Sequence, residues 1–341
     1  VARILKKTRL AREVRRIMEL ATGFMASEAL LTANSLGVFQ TLKEGRLEAN
    51  EIARRLDTEP QATRTLLDAL VALKLLKKNK GRYANAAAAR DLLTSGSPYY
   101  LGETLLHCAQ LQERWARLKE AVEKGRLAER EKMATAWCEE FVLGTARVAR
   151  LLAPTVARLI NLKGRRQLLD LGGGLGTYGV EFARRYKSLK VVIYDLPPVV
   201  KLAKETLDLS EFAGRVRFIA GDYLIGDLPP RSDAALLSNV IHQSSAEEVR
   251  LILLKLNKAL EPGGLLILKD FLLNEARTSP GYAALFSLNM LVSTQRGRTY
   301  TRNEARKLLQ DAGFSLTKAH GLKDSSTVLV AKKTHRPAVR R

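Results

Sequence analysis

The chain of 341 residues is 46% apolar and 27% charged with a net charge of +22, a composition that describes a globular protein of about two domains. No apolar run approaches the roughly 20 residues of a membrane span, and the basic, amphipathic N-terminus lacks an apolar signal region, so a membrane span is excluded and the cytoplasm is the expected location. Cys108 and Cys138 form no CxxC pair and have no spaced histidines around them, which argues against zinc and for free thiols.

Residues 1–20 hold seven Lys/Arg against two Glu, and residues 332–341 hold five Lys/Arg and no acid. Basic ends could touch nucleic acid or an anionic membrane, but solvated ends that keep a protein in solution are the commoner case, so neither partner is expected. Residues 9–21 put Leu10, Val14, Ile17 and Ala21 at helical spacing with arginines on the other face, predicting an amphipathic helix in search of a partner. A second helix is predicted over 25–42, broken near Gly37. Helices over 50–56 and 62–78 follow, separated by a turn at 57–60, and a short ribbon closes the group at 78–86. Helix, turn, longer helix and glycine-containing ribbon describe a winged helix. Such a module often reads DNA through its second helix. Here that helix would present Gln61, Arg64, Thr65 and Asp68, a mixed set, so a ligand-sensing DNA-binding regulator and a bland interaction module both fit.

Residues 99–162 read as a helical connector in which Pro154 kinks or restarts the last helix. Trp137, Phe141 and Thr145 share one face there, either as core or as pocket lining. The stretch that says most follows at 167–195, QLLDLGGGLGTYGVEFARRYKSLKVVIYD: strand, tight turn, helix, strand, with a nucleotide-type site at the first turn. Gly174, Gly176 and Gly179 satisfy the GxGxxG of dinucleotide-binding oxidoreductases, while Gly172, Gly174 and Gly176 satisfy GxGxG preceded by Asp170. A carboxylate at the strand end would repel a pyrophosphate but suits S-adenosylmethionine, which has no phosphate and carries a cationic sulfonium and ammonium. Asp170 thus favours the sulfonium cofactor, a plain turn cap being the other role open to it. Asp195, closing the second strand, would take the ribose hydroxyls.

Further strands are predicted over 215–222, 233–242 and 265–271, with a helix at 246–260, an EPGG stop signal at 261–264, a helix at 301–314 and two closing strands. An apolar helix over 280–294 would roof the site. The result is an α/β domain with a mainly parallel, Rossmann-like sheet whose ligands sit at the carboxyl ends of the strands. There Gly221, Asp222 and Tyr223 would set a carboxylate and a ring beside adenine. Asp270, on the strand neighbouring the one before His242, would hold the imidazole's tautomer and support its protonated form, making His242 a general base for a hydroxyl acceptor.

In order along the chain, DLGGGLG (170–176), DLP (195–197), GDY (221–223), SNVIH (238–242), EPGG (261–264) and GRTYT (297–301) resemble the signatures of the small-molecule O-methyltransferases with an N-terminal winged-helix dimerisation domain, the group of caffeate, hydroxyindole and bacterial polyketide and pigment enzymes. The resemblance covers about residues 20–332. It implies S-adenosyl-L-methionine as cofactor, with Gly172, Gly174, Asp195, Leu196, Gly221, Asp222, Tyr223 and Ser238 at contact positions. It implies His242 as catalytic base and Asp270 as the acid that orients it. Trp137, Phe141, Phe286, Asn289 and Met290 fall in segments that line the pocket of a small hydroxylated acceptor. It further implies a homodimer, no metal and no DNA binding. The domains so drawn are 1–98 for dimerisation, 99–162 as connector, 163–333 for the cofactor and 334–341 as a basic tail. Two departures stand out: His242-Gln243-Ser244 replaces the His-Asp-Trp of plant members, and Gly297 replaces a second acid, which leaves open the acceptor and a methyltransferase-like protein with a different reaction.

Overall fold

The computed structural model describes residues 9–125, 135–212 and 214–334, with the side chains of residues 135–138 outside that description. Trp137 and Cys138, as side chains, and the basic residues beyond 334 therefore lie outside the described residues. The chain divides into two compact units, Val1–Ala109 and Gln110–Arg341.

In the first unit, α1 (Arg9–Leu36) runs unbroken through Gly23 where the periodicity predicts two helices. One interior glycine costs a helix only about 1 kcal/mol relative to alanine, too little to break one of this length. The helix stops at Gly37, whose φ of 81° is left-handed. Short helix α2 (Val38–Thr41) and strand β1 (Leu47–Glu48) lead to α3 (Ala49–Leu56) and α4 (Pro60–Ala72). Pro60 opens α4, and the Glu59 carboxylate accepts from the N–H groups of Gln61 (2.9 Å) and Ala62 (2.5 Å). The helix ends six residues earlier than predicted. Lys74 turns left-handed (φ 62°), Leu75 N–H bonds back to Leu70, and Leu76 goes under the core as the first residue of a strand. That strand, β2 (Leu76–Asn79), pairs with β3 (Arg82–Asn85), which also pairs with β1, all antiparallel, and α5 (Ala87–Leu93) follows. This is a winged helix around Ile52, Leu67, Leu70 and Tyr83. Gln61, Arg64, Thr65 and Asp68 are exposed on α4 as expected, but Asp68 is tied to the wing by Lys78 (2.6 Å) and the Tyr83 hydroxyl (2.7 Å).

The connector resolves into α6 (Gly102–Trp115), α7 (Leu118–Lys124) and α8 (Thr135–Leu159). Pro154 sits inside α8 without interrupting it, so the helix does not restart there; a proline forfeits one interior hydrogen bond, and Ala153, Val156, Ala157 and Ile160 around it are buried in the core, which keeps the helix continuous. Next come β4 (Gln167–Leu171), α9 (Thr177–Arg185), β5 (Lys190–Asp195), α10 (Pro197–Thr206), β6 (Val216–Ala220), β7 (Ser232–Ser238), α11 (Ala246–Ala259), β8 (Leu260–Asp270), α12 (Gly281–Ser293), α13 (Arg302–Asp311), β9 (Phe314–Gly321) and β10 (Thr327–Lys333). EPGG does not precede the fifth strand but belongs to β8. Ser232 faces Leu260 while Ala234 faces Leu265, so these residues bulge from the ladder.

The seven strands lie in the order β6-β5-β4-β7-β8-β10-β9, parallel from β6 to β8, with β10 antiparallel to both its neighbours. Strand alternation splits the core in two. Leu168, Ile193, Leu236 and Ile267 face one side with Phe182 of α9, and Leu169, Leu237 and Leu268 face the other with Leu253 of α11 and Leu309 of α13. The chain leaves β4 toward β5 and β6, then crosses back to β7 on β4's other edge. The carboxyl ends of β4 and β7 therefore border the switch-point crevice where such sheets bind ligands. Among the described residues no helix is long and apolar enough to cross a membrane.

Candidate active site

The turn after β4 needs left-handed residues at Gly172 (φ 66°), Gly174 (58°) and Gly176 (72°). A Cβ on Gly176 would meet Ile193 Cδ1 at 2.2 Å, whereas one on Gly174 would meet nothing within 4 Å, so the turn is packed from beneath and open above. Gly173 and Gly179 make room for Asp170: a Cβ on either would come within 2.8 Å of its carboxyl group. Asp170 is 1% exposed and accepts the Gly179 N–H at 3.1 Å, in the first turn of α9. Burial pushes its carboxyl up to about 7, against the Gly179 N–H, which holds it down. The expectation that Asp170 selects the cofactor by charge is thus corrected. Its side chain turns into the helix and caps it, and the carboxylate that reaches the glycine turn is the one on the next strand.

That carboxylate is Asp195. One oxygen accepts the Gly174 N–H (2.7 Å) and the other the Leu196 N–H (2.7 Å), while burial raises the pKa and these two donors oppose the rise. Leu196 itself is 36% exposed beside it. Gly221 N–H bonds the Asp195 carbonyl at 2.9 Å, and a Cβ there would strike the Tyr194 hydroxyl at 2.0 Å. Asp222 bends the loop by accepting the Leu224 N–H (2.8 Å). Lys255, which sequence reasoning missed, holds this loop from α11 by donating to the carbonyls of Tyr223, Leu224 and Gly226 at 2.9–3.0 Å. Its signal was a lysine three residues after Ile252 on the apolar stripe of a helix. The loops converge at Gly172, where a Cβ would lie 2.8 Å from Val240 and 3.6 Å from the Tyr223 ring. Ser238 closes β7, its buried Oγ near the Tyr178 hydroxyl but without a well-formed hydrogen bond.

His242 lies in a 3-10 turn (Ile241–Gln243) after β7. Its Nδ1 is 2.7 Å from Asp270 Oδ1, with side-chain exposures of 8% and 1%. The Asp270 carboxylate also accepts the N–H groups of Phe271 (2.7 Å) and His242 (3.4 Å). The 3-10 turn is braced by Arg298 N–H on the His242 carbonyl (2.8 Å) and by the Tyr300 hydroxyl on the Ser244 carbonyl (2.8 Å). A Cβ on Gly297 would come within 2.5 Å of the His242 carbonyl oxygen and of Thr294 Oγ1, so this position has no room for an acid. Phe286 of α12 meets the imidazole edge-on at 4.9 Å, and Phe271 and Tyr282 pack beside it at 4.7 and 6.1 Å. Asn289 accepts the Trp115 indole N–H at 3.0 Å, and Met290 is buried on the same helix. Phe141 packs instead against the cluster of Val142, Leu175, Val199 and Ala203. Trp115, Phe271 and Tyr282 carried no signal in sequence beyond being aromatic.

A mainly parallel sheet with a glycine turn, a carboxylate at the next strand end and a histidine–aspartate pair beyond its switch point defines a Rossmann-like domain. The chain belongs to the O-methyltransferase family: residues 115–315 match the O-methyltransferase domain and residues 18–95 the O-methyltransferase dimerisation domain. It is 33% identical over 312 residues to 3-hydroxy-5-methyl-1-naphthoate 3-O-methyltransferase of Streptomyces sahachiroi (88% of this chain, 89% of the relative). It is 34% identical over 324 residues to acetylserotonin O-methyltransferase of Gallus gallus (87% and 91%). Among solved structures, human N-acetylserotonin methyltransferase in complex with SAM superposes with a TM-score of 0.87 at 29% identity, covering 94% of this chain and 98% of that one.

Two outcomes follow from the turn. Gly174→Ala should cost about 1–2 kcal/mol for its left-handed backbone alone, and Gly176→Ala about 1–3 kcal/mol more because its methyl overlaps Ile193; urea unfolding of both checks the order. Asp170 is protonated more readily when folded than when unfolded, so its contribution is lost as pH rises from about 4 to about 7 and then stays constant. Asp170→Asn should remove that part of the slope of stability against pH between 4 and 7, measured by thermal unfolding; an unchanged slope refutes the raised value.

Proposed function

We propose that this chain is a homodimeric, cytoplasmic enzyme that uses S-adenosyl-L-methionine to methylate a hydroxyl of a small aromatic or polycyclic metabolite. The observation that carries the catalytic part is the buried 2.7 Å contact between His242 Nδ1 and Asp270. An ionised carboxylate only accepts, so it holds the proton on Nδ1 and leaves Nε2 free to take one from an acceptor hydroxyl. Asp270 then supports the imidazolium that results.

The residues at the switch point fit the cofactor. Asp195 keeps lone pairs on both oxygens for two ribose hydroxyls, since each oxygen has a single backbone donor. Space is open above Gly174, Leu196 offers an exposed apolar face, and Ser238 Oγ has a hydrogen bond to give. Gly221, Asp222 and Tyr223 form the loop that Lys255 braces, on the side where adenine would lie. When bound, S-adenosyl-L-methionine supplies a methyl group on a positively charged sulfur. Phe286 and Tyr282 stand near-parallel at 6.1 Å next to His242, a wall for a flat acceptor. Phe286, Asn289 and Met290 share α12, and Trp115 orients the Asn289 amide from outside; the same reading assigns Phe141 and Trp137 to the acceptor side. With no acid at Gly297, Asp270 is the carboxylate that orients His242 among the described residues, and the rest of the acceleration falls to holding the acceptor oxygen in line.

Two measurements test this. Calorimetric titration should show S-adenosylmethionine and S-adenosylhomocysteine binding while nicotinamide dinucleotides do not, and Asp195→Ala should abolish that binding. A dinucleotide that binds in their place refutes the cofactor. With a 3-hydroxynaphthoate and N-acetylserotonin as first acceptors, His242→Ala should lower kcat by about 100-fold or more at nearly constant cofactor affinity. Unchanged turnover removes His242 as the base.

A further inference from the structure

Lys269 stands next to Asp270 on β8 and so points to the opposite face of the sheet. It is 1% exposed. Its Nζ donates to Asn239 Oδ1 at 3.2 Å, lies 3.7 Å from Asp324 Oδ2, and sits over the rings of Tyr178 and Phe271, 5.7 Å from each centre. Asp324 is in turn held by the N–H (3.1 Å) and hydroxyl (2.7 Å) of Ser326. Burial lowers the ammonium pKa, and the neighbouring Asp324 and Asp270 charges, together with the polar contact to Asp324, oppose it. An ammonium in such a place seldom stabilises a fold, because desolvation takes back what the ion pair contributes. Its presence directly after the mostly buried apolar run 265–268 calls for another reason.

Asn239 supplies one. It is left-handed (φ 57°), a conformation that disfavours side chains, and it is the first residue after β7. Its N–H donates to the Lys269 carbonyl at 2.8 Å, and its own carbonyl accepts Gln243 Nε2 at 3.3 Å. Three residues later comes His242. We propose that Lys269 is a positioning residue for His242: its ammonium holds the Asn239 side chain and with it the left-handed backbone from which the His242 turn starts, while Asp270 holds the other end. Two consecutive residues of one strand thereby grip both ends of the segment 239–242, one from each face of the sheet. Lys269 acts through Asn239 and needs no contact with either substrate. The inference rests on the assignment of His242 as base.

The variant that asks the question is Lys269→Met, of similar length but without charge or donor. Thermal unfolding should remain cooperative, with some loss of stability because Asp324 and Asn239 lose this donor, and calorimetry should show no more than a twofold change in S-adenosylhomocysteine affinity. The His242 ring resonance, assigned by comparison with His242→Gln, should broaden from one sharp signal into exchange. On an acceptor that the parent protein turns over, kcat should fall about tenfold, the scale of a sub-ångström misplacement. Adding Asn239→Gly, which adopts positive φ without a partner, should restore both the sharp resonance and most of kcat. A merely structural lysine would lower stability without broadening the His242 resonance, or would lower kcat with no rescue by that glycine; either result, or an unchanged resonance and kcat in Lys269→Met, overturns the proposal. Should Lys269→Met not fold, Asn239→Ala and Asn239→Gly in the parent test the same bond from its other end. The alanine is expected to show the broadening and the tenfold loss and the glycine neither; equal behaviour of the two overturns the proposal. If His242→Ala retains full turnover, the base assignment fails, and the resonance still reports whether Lys269 holds the turn.

Discussion

The parallel pairing of β7 with β8 is the constraint on which the site depends. Ser238 lies opposite Lys269, so the chain that leaves β7 starts its turn level with the last two residues of β8. In that register, Asp270 meets the imidazole on one face of the sheet and Lys269 meets Asn239 on the other. A slip of one residue would exchange the faces and put the carboxylate among the residues packed on α9. The register is kept by the apolar alternation from Ala235 to Leu237 against Leu266 to Leu268, buried on both sides. The bulge at EPGG takes up the mismatch at the far end, away from the site.

Two acids close neighbouring strands and meet different fates. Asp170 lies near the end of β4 and Asp195, two residues further on in the register, ends β5, yet Asp170 is enclosed by Gly173 and Gly179 and serves the helix behind it. Asp195 points to the Gly174 N–H in the turn itself. Alternation puts both on the same face of the sheet, since Asp170 pairs with Ile193 and Asp195 lies two residues beyond it; the difference is one of level, Asp170 lying one residue short of the end of β4 under α9 and Asp195, the last residue of β5, reaching the strand end. One acid builds the turn, and the other remains near its open side.

The N-terminal unit is a winged helix, an architecture that other proteins use to read DNA. Its α4 carries Asp68 on the exposed face, bonded to Lys78 and Tyr83 of the wing, so a carboxylate stands where a phosphate-binding surface would carry a free cation. Meanwhile α1 leaves Leu10, Val14, Ile17, Met18 and Phe24 exposed. A contiguous apolar stripe of this kind marks an association surface, in keeping with the match to a dimerisation domain over residues 18–95.

Much of this was legible in the amino-acid order because the signals are local. The left-handed turn at Gly172–Gly176, the alternation of buried strands with amphipathic helices, the winged helix and the pairing of His242 with Asp270 all follow from spacing within a few residues or from the neighbourhood of consecutive parallel strands. Helix ends were less legible: Lys74 stops α4 and Pro154 fails to stop α8 because burial of Leu76, Ala153 and Val156 outweighs local preference. What only the tertiary structure decided is where side chains point. It turned Asp170 into the first turn of α9, seated Phe141 against Leu175 and Val199, denied Gly297 any side chain, and set Lys255 and Lys269 on carbonyl and amide oxygens far away in the chain. Such facts depend on which residues from separate segments compete for the same few ångströms, and no single stretch of sequence contains that information.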